Sequence, residues 1–145
     1  MQSSALKMRV RRMASDRSEI ILLVDDNDAD AELALNIMGK VDSTAKIRRV
    51  KDGAQALDFV FREGAYRERP RGLPALILLD LQMPSVGGLD VLQTLRSDEL
   101  TQGIPVVILT GSGVARDRID AGHLGAAGYL VKPIRLDDLK EFWPR

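Results

Sequence analysis

The segment at residues 75–80, ALILLD, decides the fold, because five apolar residues in a row end abruptly at an aspartate. A short apolar run of this kind indicates a strand that is buried on both faces of a sheet. Two further runs have the same character, IILLV at residues 20–24 and PVVIL at residues 105–109. Such strands are typical of a parallel sheet that is covered by helices on both sides.

Amphipathic stretches separate these runs and predict the covering helices. Apolar residues recur three or four positions apart in residues 28–40, 54–61 and 89–95, which is the spacing of a helix stripe. The remaining predicted elements are two weaker strands, at residues 45–50 and 129–131, and two short helices, within residues 114–124 and at residues 136–143. Charges in the first of these strands suit the edge of a sheet. Strand and helix in alternation predict an α/β protein with a doubly wound, five-stranded parallel sheet.

Composition excludes several classes of protein. The 145 residues suit one domain, and they include no cysteine, which excludes disulfides and thiolate chemistry. Lys+Arg and Asp+Glu both number 21, so there is no net charge to attract nucleic acid. No apolar run approaches the roughly 20 residues that cross a bilayer, and the first residues contain no signal-peptide segment. We therefore expect a cytoplasmic protein without a membrane or nucleic-acid partner.

Two segments stand out from the predicted core by composition. Residues 1–19 carry five basic and two acidic side chains without a sustained period, which predicts a flexible basic arm before a domain at residues 20–145. Residues 63–74 contain two Pro, two Gly and three Arg, which predicts an exposed connection. No DNA-binding segment follows residue 143, so no output domain is expected.

Polar side chains follow the predicted strands at the point where each ends. Asp25 and Asp26 follow the first strand, and Asp80, Thr110 and Lys132 follow the third, fourth and fifth. Because the carboxyl ends of parallel strands meet at one edge of a sheet, these side chains should converge. Two carboxylates ~4 Å apart repel by about 4 kcal/mol at an effective dielectric near 20. A hard divalent ion such as Mg²⁺, Mn²⁺ or Ca²⁺ would balance three of them, whereas one lysine cannot.

An edge of this composition can also accept a phosphoryl group. Metal, ammonium and hydroxyl would together hold the negative charge of that group. Attack by an aspartate on phosphorus gives an acyl phosphate, a known nucleophilic route for carboxylates. The neighbouring acids Asp28, Asp30 and Glu32 are interpreted instead as the solvent-exposed first turn of a helix, where acidic residues are favoured.

Four segments of the chain resemble the receiver domain of two-component response regulators, namely ILLVDDND, LILLDLQMP, VVILTGS and GYLVKP. Their spacing also fits, with 54 residues from Asp26 to Asp80, 30 from Asp80 to Thr110 and 22 from Thr110 to Lys132. The resemblance covers about residues 20–143 and implies a flavodoxin-like sheet of order 2-1-3-4-5. The DNDADAEL segment and the long connection are similar to single-domain regulators that partner bacterial phytochromes.

The resemblance implies a role for each acid and for the lysine. Asp80 is the implied phosphoacceptor, which takes its phosphoryl group from the phosphohistidine of a sensor histidine kinase. Asp26, Asp80 and the main-chain carbonyl of Gln82 are the implied direct ligands of Mg²⁺, and Asp25 is implied to help through water. Lys132 is implied to pair with the phosphoryl oxygens, and its peptide bond to Pro133 to be cis.

The resemblance also implies a conformational switch. Thr110 would hydrogen-bond the phosphoryl group while Tyr129 turns inward, and an unknown downstream protein would recognise the change. Gln82 and Ser112 lie where the family tunes hydrolysis of the acyl phosphate. The implied protein is a response regulator, monomer or homodimer, that is not an enzyme beyond its own phosphoryl transfer and dephosphorylation.

Three other functions remain open at this point. An aspartate-nucleophile phosphohydrolase generally carries a second acid two residues after the nucleophile, where this chain has Gln82. A nucleotide or flavin binder would need a Gly- or Ser/Thr-rich phosphate loop after the first strand in place of DDND. A receiver-like module that binds partners without phosphorylation would keep the fold and leave the acids, Thr110 and Lys132 unused.

Overall fold

The strands and helices of this computed structural model, which describes residues 19–83, 86–111 and 122–144, form a sheet between two helical layers. The strands are β1 (Ile20–Val24), β2 (Lys46–Val50), β3 (Leu76–Asp80), β4 (Val106–Thr110) and β5 (Gly128–Val131). The helices are α1 (Asp28–Val41), α2 (Gly53–Phe61), α3 (Gly88–Ser97) and α4 (Leu136–Lys140), and a 3₁₀ turn occupies Gly64–Tyr66.

The sheet has the strand order β2-β1-β3-β4-β5, and every neighbouring pair is parallel. This confirms the predicted doubly wound sheet and its order, and it places β2 at an edge, where its charges suggested it would lie. The chain moves to one side of β1 to form β2 and to the other side to form β3. The switch point therefore lies between β1 and β3, and ligands of such sheets bind beyond the carboxyl ends of these strands.

Alternate side chains of the central strands supply two separate apolar cores. Leu22 and Val24 of β1 pack on the side of α2 and α3, whereas Ile21 and Leu23 pack on the side of α1 and α4. All four side chains are at most 3% exposed. Because both faces of the strand are covered, an unbroken apolar sequence is required rather than an alternating one.

The connection at residues 63–74 is more buried than its composition predicted. Arg69 and Leu73 are only 8% and 2% exposed, so the prediction of an exposed connection was wrong for this half of the segment. The Arg69 guanidinium donates hydrogen bonds to four main-chain carbonyls, two at the end of α2 and two within the connection itself. These bonds fold the segment back over the core.

The predictions for the two ends of the chain can be compared with the structure only in part. The last helix, α4, ends at Lys140, three residues before its predicted end. Most of the helix predicted within residues 114–124 lies outside the described residues, as do residues 1–18 of the predicted arm. Within the described ranges, no helix has the length and hydropathy that a membrane span requires.

Candidate functional site

The carboxyl ends of four strands bring the predicted site residues to one rim of the sheet. Asp25 directly follows β1, Asp80 and Thr110 are the last residues of β3 and β4, and Lys132 directly follows β5. Asp25, Asp80 and Thr110 are 0%, 4% and 1% exposed, while Asp26 is exposed. The rim therefore holds buried polar groups in a position where the core ends and a ligand can enter.

Local hydrogen bonds start α1 directly beside the acidic pair that follows β1. The carboxylate of Asp25 accepts a hydrogen bond from the main-chain N–H of Asn27 at 3.0 Å. Asn27 is in turn the N-cap of α1, and its side chain accepts from the N–H of Asp30 at 2.9 Å. These two bonds hold the Asp25 carboxylate against the start of α1 and hold the main chain of Asp30 in the first turn of that helix.

The start of α3 approaches the other side of the rim closely. A Cβ atom on Gly88 would overlap the main-chain carbonyl of Asp80 and the Cα of Leu81. Glycine at this position therefore allows the helix to begin against the end of β3. Gln82 lies two residues beyond β3 and is exposed.

Three carboxylates form a group that can hold a metal ion. One oxygen from each of Asp25, Asp26 and Asp80 lies within 4.8 Å of the other two. Asp80 Oδ1 accepts a hydrogen bond from the N–H of Gln82 at 3.0 Å, whereas Asp25 Oδ2 is buried and has the ammonium of Lys132 2.9 Å away. One ammonium cannot balance three clustered carboxylates, whereas a hard divalent cation with oxygen ligands would. The donor set therefore fits a divalent ion.

The ammonium of Lys132 lies among three carboxylates. Its Nζ is 2.9 Å from Asp25 Oδ2, 3.1 Å from Asp30 Oδ2 and 3.2 Å from Asp80 Oδ2. The contacts with Asp30 and Asp80 are hydrogen bonds as well as ion pairs, and the contact with Asp25 is the shortest of the three ion pairs. The peptide bond between Lys132 and Pro133 is cis, as the resemblance implies.

Burial and charge shift the pKa values of two groups in this pocket. Burial raises the pKa of Asp80 above its ordinary value, and the charge of Asp25 adds to the rise, against the opposing hydrogen bond from Gln82 and the charge of Lys132. Burial alone would lower the pKa of Lys132, but its three carboxylate partners raise that pKa above its usual range. Lys132 is therefore held in its charged form, and the pocket still carries an excess of negative charge.

The residues of the predicted switch occupy neighbouring strands. Thr110 is buried at the end of β4, and Tyr129 of β5 is 40% exposed. Tyr129 pairs with Ile108 and Val131 pairs with Thr110 in the register of the two strands. The inward turn of Tyr129 stays a prediction, and so does the role of Ser112, which lies outside the described residues.

Two residues near the rim were missed by the sequence analysis. Asp30 was interpreted as a solvent-exposed acid, but its carboxylate contacts Lys132. Arg49 of β2 was not singled out, although its Nε and Nη2 donate to the carbonyl of Asp25 at 3.1 and 2.8 Å and its Nη1 donates to Asp28 at 2.8 Å. A signal for Arg49 existed in the sequence, since it is the next-to-last residue of the strand predicted at residues 45–50 and so lies near the carboxyl end of that strand.

Comparison with known proteins identifies the family. Residues 21–143 match the response regulator receiver domain. The chain belongs to this family. Phosphorylation and Mg²⁺ binding are typical of its members, and the matched residues include all of the sheet except Ile20, together with the rim described above.

Three similar proteins share most of the length of this chain. The bacteriophytochrome response regulator RtBRR is 43% identical, with a TM-score of 0.79 over 85% of this chain and 74% of that chain. The phosphorylated cyanobacterial phytochrome response regulator RcpA is 33% identical, with a TM-score of 0.75 over 86% of this chain and 92% of that chain. Response regulator Rcp1 of Synechocystis sp. is 35% identical over 86% of this chain and 84% of that protein.

A solved structure bears on the metal site. The Mn²⁺-bound form of response regulator Rcp1 has a TM-score of 0.69 and 35% identity, over 86% of this chain and 88% of that chain. Receiver domains bind a divalent metal ion. The carboxylates of Asp25, Asp26 and Asp80 supply the all-oxygen ligand set that such an ion prefers.

Proposed function

We propose that Asp80 accepts a phosphoryl group from the phosphohistidine of a sensor histidine kinase, in a reaction that requires Mg²⁺. The observation that carries this proposal is the environment of the Asp80 carboxylate. Its Oδ1 is held by the N–H of Gln82, and its Oδ2 is held by Nζ of Lys132. The carboxylate is thereby fixed at the open end of β3, with a cation beside it for the incoming charge.

The transfer is a single displacement at phosphorus. A carboxylate oxygen of Asp80 attacks the phosphorus atom, and a P–O bond forms as the P–N bond of the phosphohistidine breaks. The imidazole leaves with the electron pair and takes a proton from water. Lys132 pairs with the transferred oxygens and the Thr110 hydroxyl donates to them, so that both side chains stabilise the charge that arrives on Asp80.

Mg²⁺ is the proposed cofactor because every available ligand is an oxygen. Asp26, Asp80 and the main-chain carbonyl of Gln82 would hold the ion directly, and Asp25 would assist through water. Oxygen ligands of this kind suit magnesium better than zinc. When bound, the ion neutralises charge on the carboxylates and on the phosphoryl oxygens.

The output is proposed to be a change of shape. Thr110 moves toward the phosphoryl group and Tyr129 turns inward from its exposed position, and a downstream protein recognises the new surface. Gln82 and Ser112 then tune the hydrolysis of the acyl phosphate. The names of RtBRR and RcpA support a phytochrome as the kinase. The protein would act in the cytoplasm as a monomer or homodimer, without being an enzyme toward other substrates.

The test measures phosphoryl uptake by mass spectrometry after incubation with acetyl phosphate and Mg²⁺. Wild-type protein should gain one phosphoryl mass, and both Asp80→Asn and chelation of the metal should abolish the gain. Asp90→Asn is the matched control, because Asp90 is an exposed aspartate in the first turn of α3. It should take up the group at the wild-type rate.

Three outcomes would contradict the proposal. Uptake that survives Asp80→Asn would remove Asp80 as the acceptor. Repeated hydrolysis of phosphomonoesters would favour an aspartate-nucleophile phosphohydrolase. Absence of uptake from acetyl phosphate and also from a phosphorylated histidine kinase would favour a receiver-like module that binds partners without phosphorylation.

A further inference from the structure

The ammonium of Lys132 has a carboxylate neighbour that lies outside the candidate metal group. Asp30 Oδ2 is 3.1 Å from Nζ, as close as Asp80 Oδ2 at 3.2 Å. The carboxylates that cluster for a metal ion are those of Asp25, Asp26 and Asp80, without Asp30. The Asp30 side chain is 42% exposed and belongs to the first turn of α1. Asp30 can thus hold Lys132 without being a metal ligand.

We infer that Asp30 is a positioning residue for Lys132, which it keeps at the rim beside Asp80 when a divalent ion occupies the acidic pocket. The inference rests on the proposed function, since it concerns the cation that receives the phosphoryl group. Asp30 would act on the reaction through Lys132 alone and would touch neither the metal nor the phosphorus.

Electrostatics explains why Lys132 needs this neighbour. A divalent ion would share the charge of Asp25 and Asp80 and would itself repel the ammonium, so two of the three contacts of Lys132 would weaken. A lysine side chain is long and flexible, and it regains rotamer freedom when it extends into water. The carboxylate of Asp30 is the contact that the ion leaves at full charge, so it opposes this loss of position.

The main chain holds Asp30 in place for this role. The N–H of Asp30 donates to the side chain of Asn27 at 2.9 Å, and the N–H of Asn27 donates to Asp25 at 3.0 Å. These two bonds link the first turn of α1 to the buried acid of the pocket. The main chain at Asp30 is therefore held by hydrogen bonds that also involve the Asp25 carboxylate, which keeps the start of the Asp30 side chain beside the pocket.

Asp28 provides a matched control within the same turn. It carries the same charge, and its ion pairs are with Arg49 at 2.8 Å and Lys51 at 3.6 Å. Removal of either Asp28 or Asp30 lowers the negative charge near the pocket by one. A difference between the two variants therefore reports on the contact with Lys132.

The experiment compares wild-type protein, Asp30→Ala, Asp30→Glu and Asp28→Ala after circular dichroism has shown that each is folded. Phosphoryl uptake from acetyl phosphate is followed by mass spectrometry, and Mg²⁺ affinity is measured by calorimetry without a phosphodonor. We expect uptake by Asp30→Ala to be about fivefold slower than uptake by Asp28→Ala. The two alanine variants should bind Mg²⁺ equally, and Asp30→Glu should recover most of the rate because it restores a carboxylate.

Four results would overturn the inference. Equal uptake rates in the two alanine variants would show that the contact with Lys132 has no role in the reaction. Faster uptake by Asp30→Ala would show that Asp30 competes with the phosphoryl group for the ammonium. A loss of Mg²⁺ affinity in Asp30→Ala alone would make Asp30 a metal ligand. Wild-type protein that takes up no phosphoryl group would overturn the proposed function as well, whereas the first three results leave that function standing.

Discussion

Arg69 and Lys132 are both cations with largely buried side chains, and they have opposite surroundings. Arg69 donates to the carbonyls of Phe59 at 2.6 Å, Pro70 at 2.7 Å, Gly72 at 3.1 Å and Val60 at 3.2 Å. Its guanidinium also stacks over the ring of Phe59, 4.4 Å from the centroid. Lys132 meets three carboxylates at 2.9 to 3.2 Å instead. One cation is surrounded by fixed dipoles and the other by charges.

The comparison teaches that the partners of a buried cation, and not its burial alone, set its pKa. Burial and the nearby charges of Arg62 and Arg48 lower the pKa of Arg69 to about 10, whereas the pKa of Lys132 is raised by its acids. The carbonyl partners of Arg69 belong to the main chain and cannot be exchanged for a ligand. The carboxylate partners of Lys132 can share it with a phosphoryl group, because both are anionic oxygens.

The largest effect that distinguishes the two cations should come from Lys132→Met, measured as phosphoryl uptake from acetyl phosphate in Mg²⁺. We expect the rate to fall about 100-fold, because removal of one donor to the developing charge typically has an effect of this size. Lys140→Met is the control, since Lys140 is an exposed lysine on α4. Uptake by Lys132→Met at nearly the wild-type rate would mean that Lys132 only neutralises the pocket.

Substitution of Arg69 should lower the free energy of unfolding and leave the rate of phosphoryl uptake unchanged. Arg69→Met keeps an apolar stem and leaves four carbonyls without their donor, so we expect the free energy of unfolding to fall by about 3 kcal/mol. Urea unfolding measures this loss, and Arg67→Met, an exposed neighbour in the connection, should change it little. The folded fraction of Arg69→Met should take up phosphoryl groups at the wild-type rate. A slower rate of phosphoryl uptake by folded Arg69→Met would show that Arg69 affects the reaction and is not only a structural cation.

Sequence reasoning succeeded where a signal was local. The apolar runs predicted the central strands to within one residue, because a strand covered on both faces leaves no choice but apolar side chains. The order of a doubly wound sheet then placed Asp25, Asp80 and Lys132 at one rim. These residues directly follow or end their strands, so their convergence required only the direction of each strand.

Sequence reasoning failed where a contact joined distant residues through side-chain direction. Asp30 and Lys132 are 102 positions apart, and nothing in an acidic first turn distinguishes an acid that faces the rim from one that faces water. The buried half of the connection was missed for a similar reason. Pro, Gly and Arg suit an exposed loop and a loop wound around a guanidinium equally well, and Arg69 is buried by main-chain carbonyls that composition does not record.

The smallest expected effect is on the free energy of unfolding, and it comes from the pH-dependent charge of Asp80. The pKa of Asp80 in the folded protein is raised above 3.8, so the folded state binds a proton at pH values where the unfolded state does not. In metal-free protein the charged form of Asp80 is therefore destabilising, and stability should increase as the pH falls through the folded pKa toward 3.8. Asp80→Asn is neutral at every pH, and Lys132 keeps its contacts with Asp25 and Asp30.

We expect Asp80→Asn to be more stable than wild-type protein by about 1 kcal/mol at pH 7 in the presence of a chelator, as is common when a functional charge is removed. The difference in unfolding free energy between Asp80→Asn and wild-type protein should become smaller as the pH is lowered. It should level off below 3.8, where Asp80 is protonated in both the folded and the unfolded state. Urea unfolding at several pH values measures the difference, with Asp90→Asn as the control for an exposed aspartate. An advantage that widens toward low pH would mean that Lys132 fully compensates the charge of Asp80. Lys132 would then resemble Arg69 in being satisfied by its surroundings, and Asp80 would contribute no uncompensated charge for a metal ion to balance.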